Sequence, residues 1–169
     1  MTTTQKAVSK IFIQGTIEQV WNEITKTDEV QKCMFNSRLH TDGLRPGAKI
    51  FMRTPNGKYT GVVGEVLECD APHRYSHTFK FTAYDDPTCT VTYELKEVEG
   101  GVEFTLTADG IPSGTKTADQ MIRGADLIVK TLKAIVETGK PPLGTRLLYV
   151  MFGMMEPFSP RKSLSENWK

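Results

Sequence analysis

The sequence predicts an α+β fold in which an antiparallel sheet packs against one long helix near the C-terminus. Strand-like segments over residues 39–109 follow one another closely and are separated by short turns, which favours a meander. Two late segments alternate apolar and polar residues, so one sheet face is predicted to be apolar. A long amphipathic helical pattern follows residue 117. The sheet and the helix are expected to bury their apolar faces on each other.

The first predicted elements are a strand over residues 7–13 and two short helices. Thr16 stands three residues before a glutamine, which is the spacing of a capping box, and an apolar stripe follows it. A helix is therefore predicted to begin at Thr16. Asp28 also stands three residues before a glutamine, and this spacing predicts a second short helix over residues 29–34.

The central part of the chain is predicted to form six strands. Asn56-Gly57 favours a hairpin because both residues tolerate positive φ. From Cys89 to Leu95, apolar side chains alternate with Thr and Glu, so the outer face of the sheet is expected to be polar. The strands are predicted over residues 39–41, 48–54, 59–69, 73–82, 88–98 and 102–109.

The long helix follows this sheet. Thr117 is a suitable N-cap with a glutamine three residues later, and Gly139 and Pro141 are typical of a helix end. The apolar stripe of the helix consists of Met121, Ala125, Ile128, Leu132 and Ile135.

Composition narrows the classes of function. A chain of 169 residues is most simply one domain. With 21 basic and 20 acidic residues, it has no overall field that would attract nucleic acid, and no nucleic-acid partner is expected. Three widely spaced cysteines without a CxxC pair argue against a disulfide framework, and no metal site or cofactor is expected. The N-terminal residues lack the apolar core of a signal peptide, so a cytoplasmic location is expected.

Four stretches resemble the START/Bet v 1-like (SRPBCC) superfamily, and most of all its Hsp90-ATPase-activator-homologue branch, which includes polyketide-cyclase-like members. They read TIEQVWNEIT, TDGLRPGAKI, GVVGEVLECDAPHRYSHTF and VTYELKEVEGGVEFTLT. The resemblance covers residues 7–139. It implies a helix-grip fold, in which a curved sheet of six or seven strands surrounds the long helix and leaves a cavity between them. Departures at Cys33, Met34, Phe35 and Phe79 fall around that cavity, so the ligand of a relative is not transferred to this chain.

Aromatic and methionine side chains are the candidates for lining this cavity, because small-molecule sites are mostly apolar with a few polar groups. Tyr75, His77 and Phe79 share one parity of their strand and are predicted to point inward. The alternative is that these side chains simply fill the core. The candidate ligand-binding residues are Met34, Phe35, Phe51, Tyr59, Tyr75, His77, Phe79, Phe81, Tyr93 and Met121.

Two side chains are candidates for acid–base chemistry. His77 is either a hydrogen bonder or proton carrier in the cavity, or a core histidine satisfied by a carbonyl or a water. Glu65 points inward and could act as a base if Leu67 does so, and it is solvated if Val66 points inward instead. Arg53 is either an anion anchor or a surface arginine.

The apolar run over residues 147–155 belongs to a predicted C-terminal extension, residues 143–169, which follows the domain over residues 1–142. Thr145 can cap a short helix there, and Pro157 limits its end. Two apolar stripes imply contacts on more than one side. The protein's own body, for example across the cavity mouth, or a second copy in a symmetric dimer is expected to cover them. Membrane contact is disfavoured because the helix has no basic polar face.

The leading interpretation is a binding protein for a small apolar or amphipathic molecule, without an obligate cofactor. One alternative is an enzyme similar to polyketide cyclases, dehydratases or hydrolases that uses His77 or Glu65. The other is a protein-interaction or chaperone-linked module.

Overall fold

A computed structural model describes residues 3–169 and confirms the α+β class. Seven strands form one antiparallel sheet with the spatial order β1-β7-β6-β5-β4-β3-β2, so the last six strands are a meander and β1 pairs with β7. The strands are β1 (Thr4–Ile13), β2 (Arg38–Thr41), β3 (Lys49–Arg53), β4 (Thr60–Asp70), β5 (Arg74–Phe81), β6 (Cys89–Val98) and β7 (Gly101–Pro112).

Three α-helices accompany the sheet: α1 (Ile17–Thr25), α2 (Lys116–Thr138) and α3 (Leu143–Met155). Helix α2 packs mainly against β1 and β7, while α1 contacts β6. Among residues 3–169, no helix combines the length and the apolar character that crossing a bilayer would need. Three short 3-10 helices follow α3, at Glu156–Phe158, Arg161–Ser163 and Ser165–Asn167.

The alternation predicted for the late strands is confirmed. On β7, Val102, Phe104 and Leu106 are buried, and the residues between them are only half-buried. Leu132 of α2 packs into the same core and is fully buried. The sheet and α2 therefore bury their apolar faces on each other, as the sequence predicts.

The N-cap predicted for α1 is confirmed, whereas the one predicted for α2 is not. The capping box at Thr16 is present, since its Oγ1 accepts a hydrogen bond from Gln19 N at 3.2 Å. The predicted cap of α2 is wrong: Thr115 caps the helix instead. Thr117 lies inside the first turn, where its N–H and hydroxyl donate to Asp86 Oδ2 at 3.2 and 2.7 Å. A carboxylate from the β5–β6 loop thus ties the start of α2 to the sheet.

The second short helix, predicted over residues 29–34, does not form. Gln31 N donates to Ser37 O at 2.7 Å, so the chain turns back on itself in a β-bridge. Just beyond the predicted helix, Phe35 and Asn36 hold φ values of 56° and 58°, so a right-handed helix could not continue through them. The bridge between Gln31 and Ser37 therefore replaces the helix that the capping spacing predicts.

The C-terminal extension returns to the sheet after α3. Thr145 does not cap this helix; it is buried inside it, and Pro142 occupies the N-cap position. Helix α3 ends two residues before Pro157, close to the predicted limit. Residues 156–168, here called the C-terminal strap, then cross the β3–β4 hairpin. Their anchors are Ser163 Oγ with Thr82 Oγ1, Ser165 Oγ with Gly57 O, and Trp168 O with Arg53 Nη2.

Two glycines of β4 provide a test of the packing between strands. A methyl group at Gly64 would collide with the backbone carbonyl oxygen of Thr78, whereas a methyl group at Gly61 would find its nearest neighbour at 3.9 Å. Gly64→Ala is expected to lower the free energy of unfolding by about 1–3 kcal/mol, because overpacking strains the backbone. Gly61→Ala is the matched control and is expected to stay within about 0.5 kcal/mol of wild type. Urea unfolding measures both, and equal effects would contradict the described register.

Candidate functional site

A cavity of about 320 Å³ lies between the inner face of the sheet and α2. Helix α2 forms one wall with Met121, Ala125 and Ile128, and the strands from β3 to β7 form the other. The turn before β2 and one side chain of α3 complete it. The residues that line it are Met34, Phe35, Ser37, Met52, Gly61, Val62, Phe79, Phe81, Val91, Tyr93, Leu106, Ala108, Gln120, Met121, Gly124, Ala125, Ile128 and Phe152.

The cavity continues beneath α3. A second hollow of about 480 Å³ separates α3 from the β3–β4 hairpin. Phe35, Met52 and Phe152 line both spaces. Tyr149 donates its hydroxyl to the carbonyl of Lys32, which holds α3 against the turn. Helix α3 therefore covers the mouth of the cavity with its inner side, one of the positions that the sequence leaves open for it.

Six of the candidate lining residues contact the cavity: Met34, Phe35, Phe79, Phe81, Tyr93 and Met121. Four do not: Phe51, Tyr59, Tyr75 and His77. The prediction succeeds where strand parity or the helix stripe fixes direction, as for Phe79, Phe81 and Met121.

Phe51 and Tyr59 were expected inside the cavity and lie elsewhere. Ile50 and Met52 face inward from β3, so Phe51 lies on the opposite face, where the Arg53 guanidinium stands 4.9 Å from its ring centre. Tyr59 is buried beneath the C-terminal strap through a bridge to Leu164. Arg53 is bound to the strap and borders the hollow beneath α3, but it does not line the cavity between the sheet and α2 and is not an anion anchor there.

Tyr75 and His77 point inward, as predicted, but they belong to the core behind the cavity wall. The ring of Tyr75 stacks on Tyr93 with 5.4 Å between centroids. Nδ1 of His77 lies 2.7 Å from Thr78 O, and because a carbonyl can only accept, Nδ1 carries the proton. Nε2 is then an acceptor, and the Tyr93 hydroxyl donates to it at 3.3 Å. His77 is thus a satisfied core histidine whose partner forms part of the cavity wall.

The titratable groups nearest the cavity are held neutral. Burial lowers the pKa of His77 to about 4. Burial also raises the pKa of the Tyr93 hydroxyl well above its usual value and that of the Cys89 thiol to about 11. At neutral pH this region therefore contains an imidazole, a phenol and a thiol, none of them charged.

Glu65 does not meet the condition for acid–base work. Val62 and Val66 are buried on β4, and Glu65 is exposed on the outer face, paired in register with Lys49. Among residues 3–169, no group of three His, Cys, Asp or Glu side chains could hold a metal ion. The lining contains no charged side chain among the described residues, and Ser37, Gln120 and Tyr93 are its polar members. The arrangement suits binding of an apolar guest better than proton transfer to one.

Sequence reasoning missed several contributors to the wall. Phe152 reaches the cavity from the C-terminal extension, ten residues beyond the predicted domain boundary at 142, and only the fold brings it to the wall formed by α2. Met52 is not among the predicted residues because the sequence analysis places Phe51 on the inward face of β3. Gly124 lines the wall through its backbone, where the Phe35 ring lies close. The apolar run in the sequence signalled that α3 needs a partner but not which side faces the cavity.

The family model described as "Activator of Hsp90 ATPase homolog 1-like protein" matches residues 14–137, more than half of the chain. The chain belongs to this family. The resemblance noted in the sequence is thereby confirmed, and the helix-grip architecture agrees with it. No curated protein matches the sequence.

Solved structures share this fold at low sequence identity. CalU16 from Micromonospora echinospora has a TM-score of 0.63 and 17% identity, over 89% of this chain and 84% of that one. The Aha1 dimer from Colwellia psychrerythraea has a TM-score of 0.65 and 16% identity, over 80% and 98%. PFC0360w, an HSP90 activator from Plasmodium falciparum, has a TM-score of 0.61 and 20% identity, over 82% and 97%. At these identities the likeness shows the fold alone.

The buried His77 gives a pH-dependent prediction. Its folded pKa of about 4 lies below the ordinary value of 6.5, so the folded state disfavours the proton. The stability it contributes is complete above pH 6.5 and is lost as the pH falls toward 4, by on the order of 3 kcal/mol. Urea unfolding from pH 7 to 4 should show this loss in wild type and less of it in His77→Gln. The exposed His73→Gln is the control and should follow wild type; an NMR titration of His77 near pH 6.5 would contradict the assignment.

Proposed function

We propose that the protein binds a small apolar or amphipathic molecule in the cavity between the sheet and α2. The observation that carries this proposal is the cavity of about 320 Å³ with its uncharged lining. Protein interiors pack closely and seldom leave voids much larger than a water molecule. A space of this size, bordered by side chains such as Phe79, Phe81 and Met121, is in the range of small-molecule sites.

The polar members of the lining support an amphipathic guest. Gln120 is an exposed lining residue of α2, and Ser37 lines the cavity from the turn before β2. The Tyr93 proton is directed to His77, so the Tyr93 oxygen keeps lone pairs and acts as an acceptor. A guest with one hydroxyl or amine donor and an otherwise apolar body fits this distribution.

The C-terminal extension is part of the proposed site. We propose residues 1–142 as the binding domain and residues 143–169 as an extension whose α3 closes the cavity through Phe152. Its anchors to Lys32, to Thr82 after β5 and to Gly57 of the β3–β4 hairpin keep the closing side chain in place.

The two alternative functions have less support from the geometry. An enzyme would need His77 or Glu65 at the guest, and neither lines the cavity. Hsp90 activation is suggested by the family description and by the likeness to the Plasmodium falciparum activator, not by a contact surface of this chain.

Filling the cavity tests the proposal. A panel of fatty acids, aromatic alcohols and sterols is expected to raise the melting temperature of wild type in a saturable way with at least one class. Ala125→Leu places a larger side chain in the cavity from α2 and should abolish that shift, because the guest and the leucine compete for one volume.

Two further variants test whether the loss of the melting-temperature shift is specific to filling the cavity. Ala108→Leu fills the cavity from β7 and should act like Ala125→Leu, while Ala134→Leu on α2 lies outside the lining and should respond as wild type. Circular dichroism establishes that each variant is folded. Stabilisation of wild type by no class, or an unchanged response in both filled variants, would overturn the proposal.

A further inference from the structure

The outward side of α3 is a strip of large apolar side chains that nothing within residues 3–169 covers. Five residues at helical spacing form it, and it is here called the outer face of α3: Leu143, Leu147, Val150, Met151 and Met154. Met154 is the most accessible of them, with 73% of its surface exposed. Phe158, just after the helix, borders the hollow beneath α3 and is 85% exposed. Exposed apolar surface of this extent marks an interaction site.

The outer face is held in a fixed orientation. At the start of α3, Pro141 and Thr145 are buried, and in its middle Tyr149 and Phe152 engage the body. After the helix, the buried Ser163 fixes the strap. Because the inner side already makes these contacts, the body cannot also cover the outer face without releasing them.

Basic side chains lie at both ends of this strip. Lys140 and Arg146 are exposed at its start, and Arg161 and Lys162 are exposed beyond its end. Lys162 also stands 3.8 Å from Asp85. Between these two pairs of cations the one acidic residue, Glu156, accepts a hydrogen bond from Asn56 Nδ2 at 3.2 Å. The apolar strip is therefore preceded and followed along the chain by exposed cations, of which Lys162 is paired with the exposed Asp85.

We propose that the outer face of α3 docks on a lipid bilayer that contains anionic lipids. A helix of 13 residues is about 20 Å long, too short to span a bilayer, and it would lie in the plane of the interface. Its apolar side chains would enter the boundary between headgroups and acyl chains, and the four basic residues would contact anionic headgroups. The sequence disfavours membrane contact because the helix itself has no basic face; in the structure the cations lie around the helix ends instead.

Charge favours a bilayer over a second copy of the chain. In a two-fold contact between antiparallel α3 helices, the start of each helix would lie beside the end of the other. Lys140 and Arg146 of one copy would then approach Arg161 and Lys162 of the other, so that like charges would face one another. An anionic surface has the complementary charge at all four positions.

Vesicle binding by the full chain tests this proposal. Wild type is expected to sediment with vesicles of phosphatidylcholine and phosphatidylglycerol about tenfold more tightly than with pure phosphatidylcholine, and high salt should remove most of that preference. Leu147→Glu combined with Met154→Glu should weaken binding to both vesicles by about tenfold or more. Arg161→Glu combined with Lys162→Glu should remove the preference for the anionic lipid.

The controls separate the possible outcomes. Ile122→Glu changes an exposed apolar residue on α2 and should bind as wild type. Ala125→Leu fills the cavity and should also bind as wild type, so failure of cavity binding and failure of membrane docking are distinguishable. The proposal is overturned if folded wild type does not bind anionic vesicles. It is also overturned if Ile122→Glu weakens vesicle binding as strongly as Leu147→Glu combined with Met154→Glu. It is also overturned if light scattering shows a dimer that the Leu147→Glu, Met154→Glu variant dissociates, since a second copy then covers the face.

Discussion

The position of α2 on the sheet is the constraint on which the rest of the structure depends. The long helix α2 has to bury most of the apolar face of a seven-stranded sheet, and it packs mainly against β1 and β7, while the short helix α1 contacts β6. The inner face of β5 then lacks a close helical neighbour. The remaining space becomes the cavity, and the turn before β2, α3 and the strap close it from the other side. The interior volume thus follows from covering a broad sheet mainly with one long helix.

The polar groups of the core behind the cavity wall are linked to one another by hydrogen bonds. Thr78 O fixes the proton of His77 on Nδ1, and His77 in turn takes the proton of Tyr93. Each member has a partner, so the cluster can be buried without an uncompensated donor. The same bonds hold the Tyr93 ring at the cavity wall. Specificity for a guest would therefore depend on residues that do not touch it.

The sequence predicts those parts that repeat a period and misses those that depend on distant contacts. Alternation located β6 and β7, and parity on β5 placed Phe79 and Phe81 correctly. Thr117, the predicted cap of α2, instead bonds to Asp86 from another loop, and Thr115 caps the helix. The turn that replaces the second short helix is a local exception, because a bridge between Gln31 and Ser37 closes it and the capping spacing does not reveal that bridge. β3 has apolar residues on both faces because the strap covers its outer side, so period alone could not place Phe51.

Helix α3 is joined to the body at both ends, by the Pro141–Pro142 connection and by the strap. A helix attached to the body at only one end can move away as a unit about a hinge. Because α3 is attached at both ends, one of the two attachments must break before the helix can move. Opening would require the bonds of Ser163 and Ser165, or that of Tyr149, to break together in a local unfolding event. The residence time of a guest would then be governed by the frequency of that event, and would depend little on how tightly the cavity wall holds it.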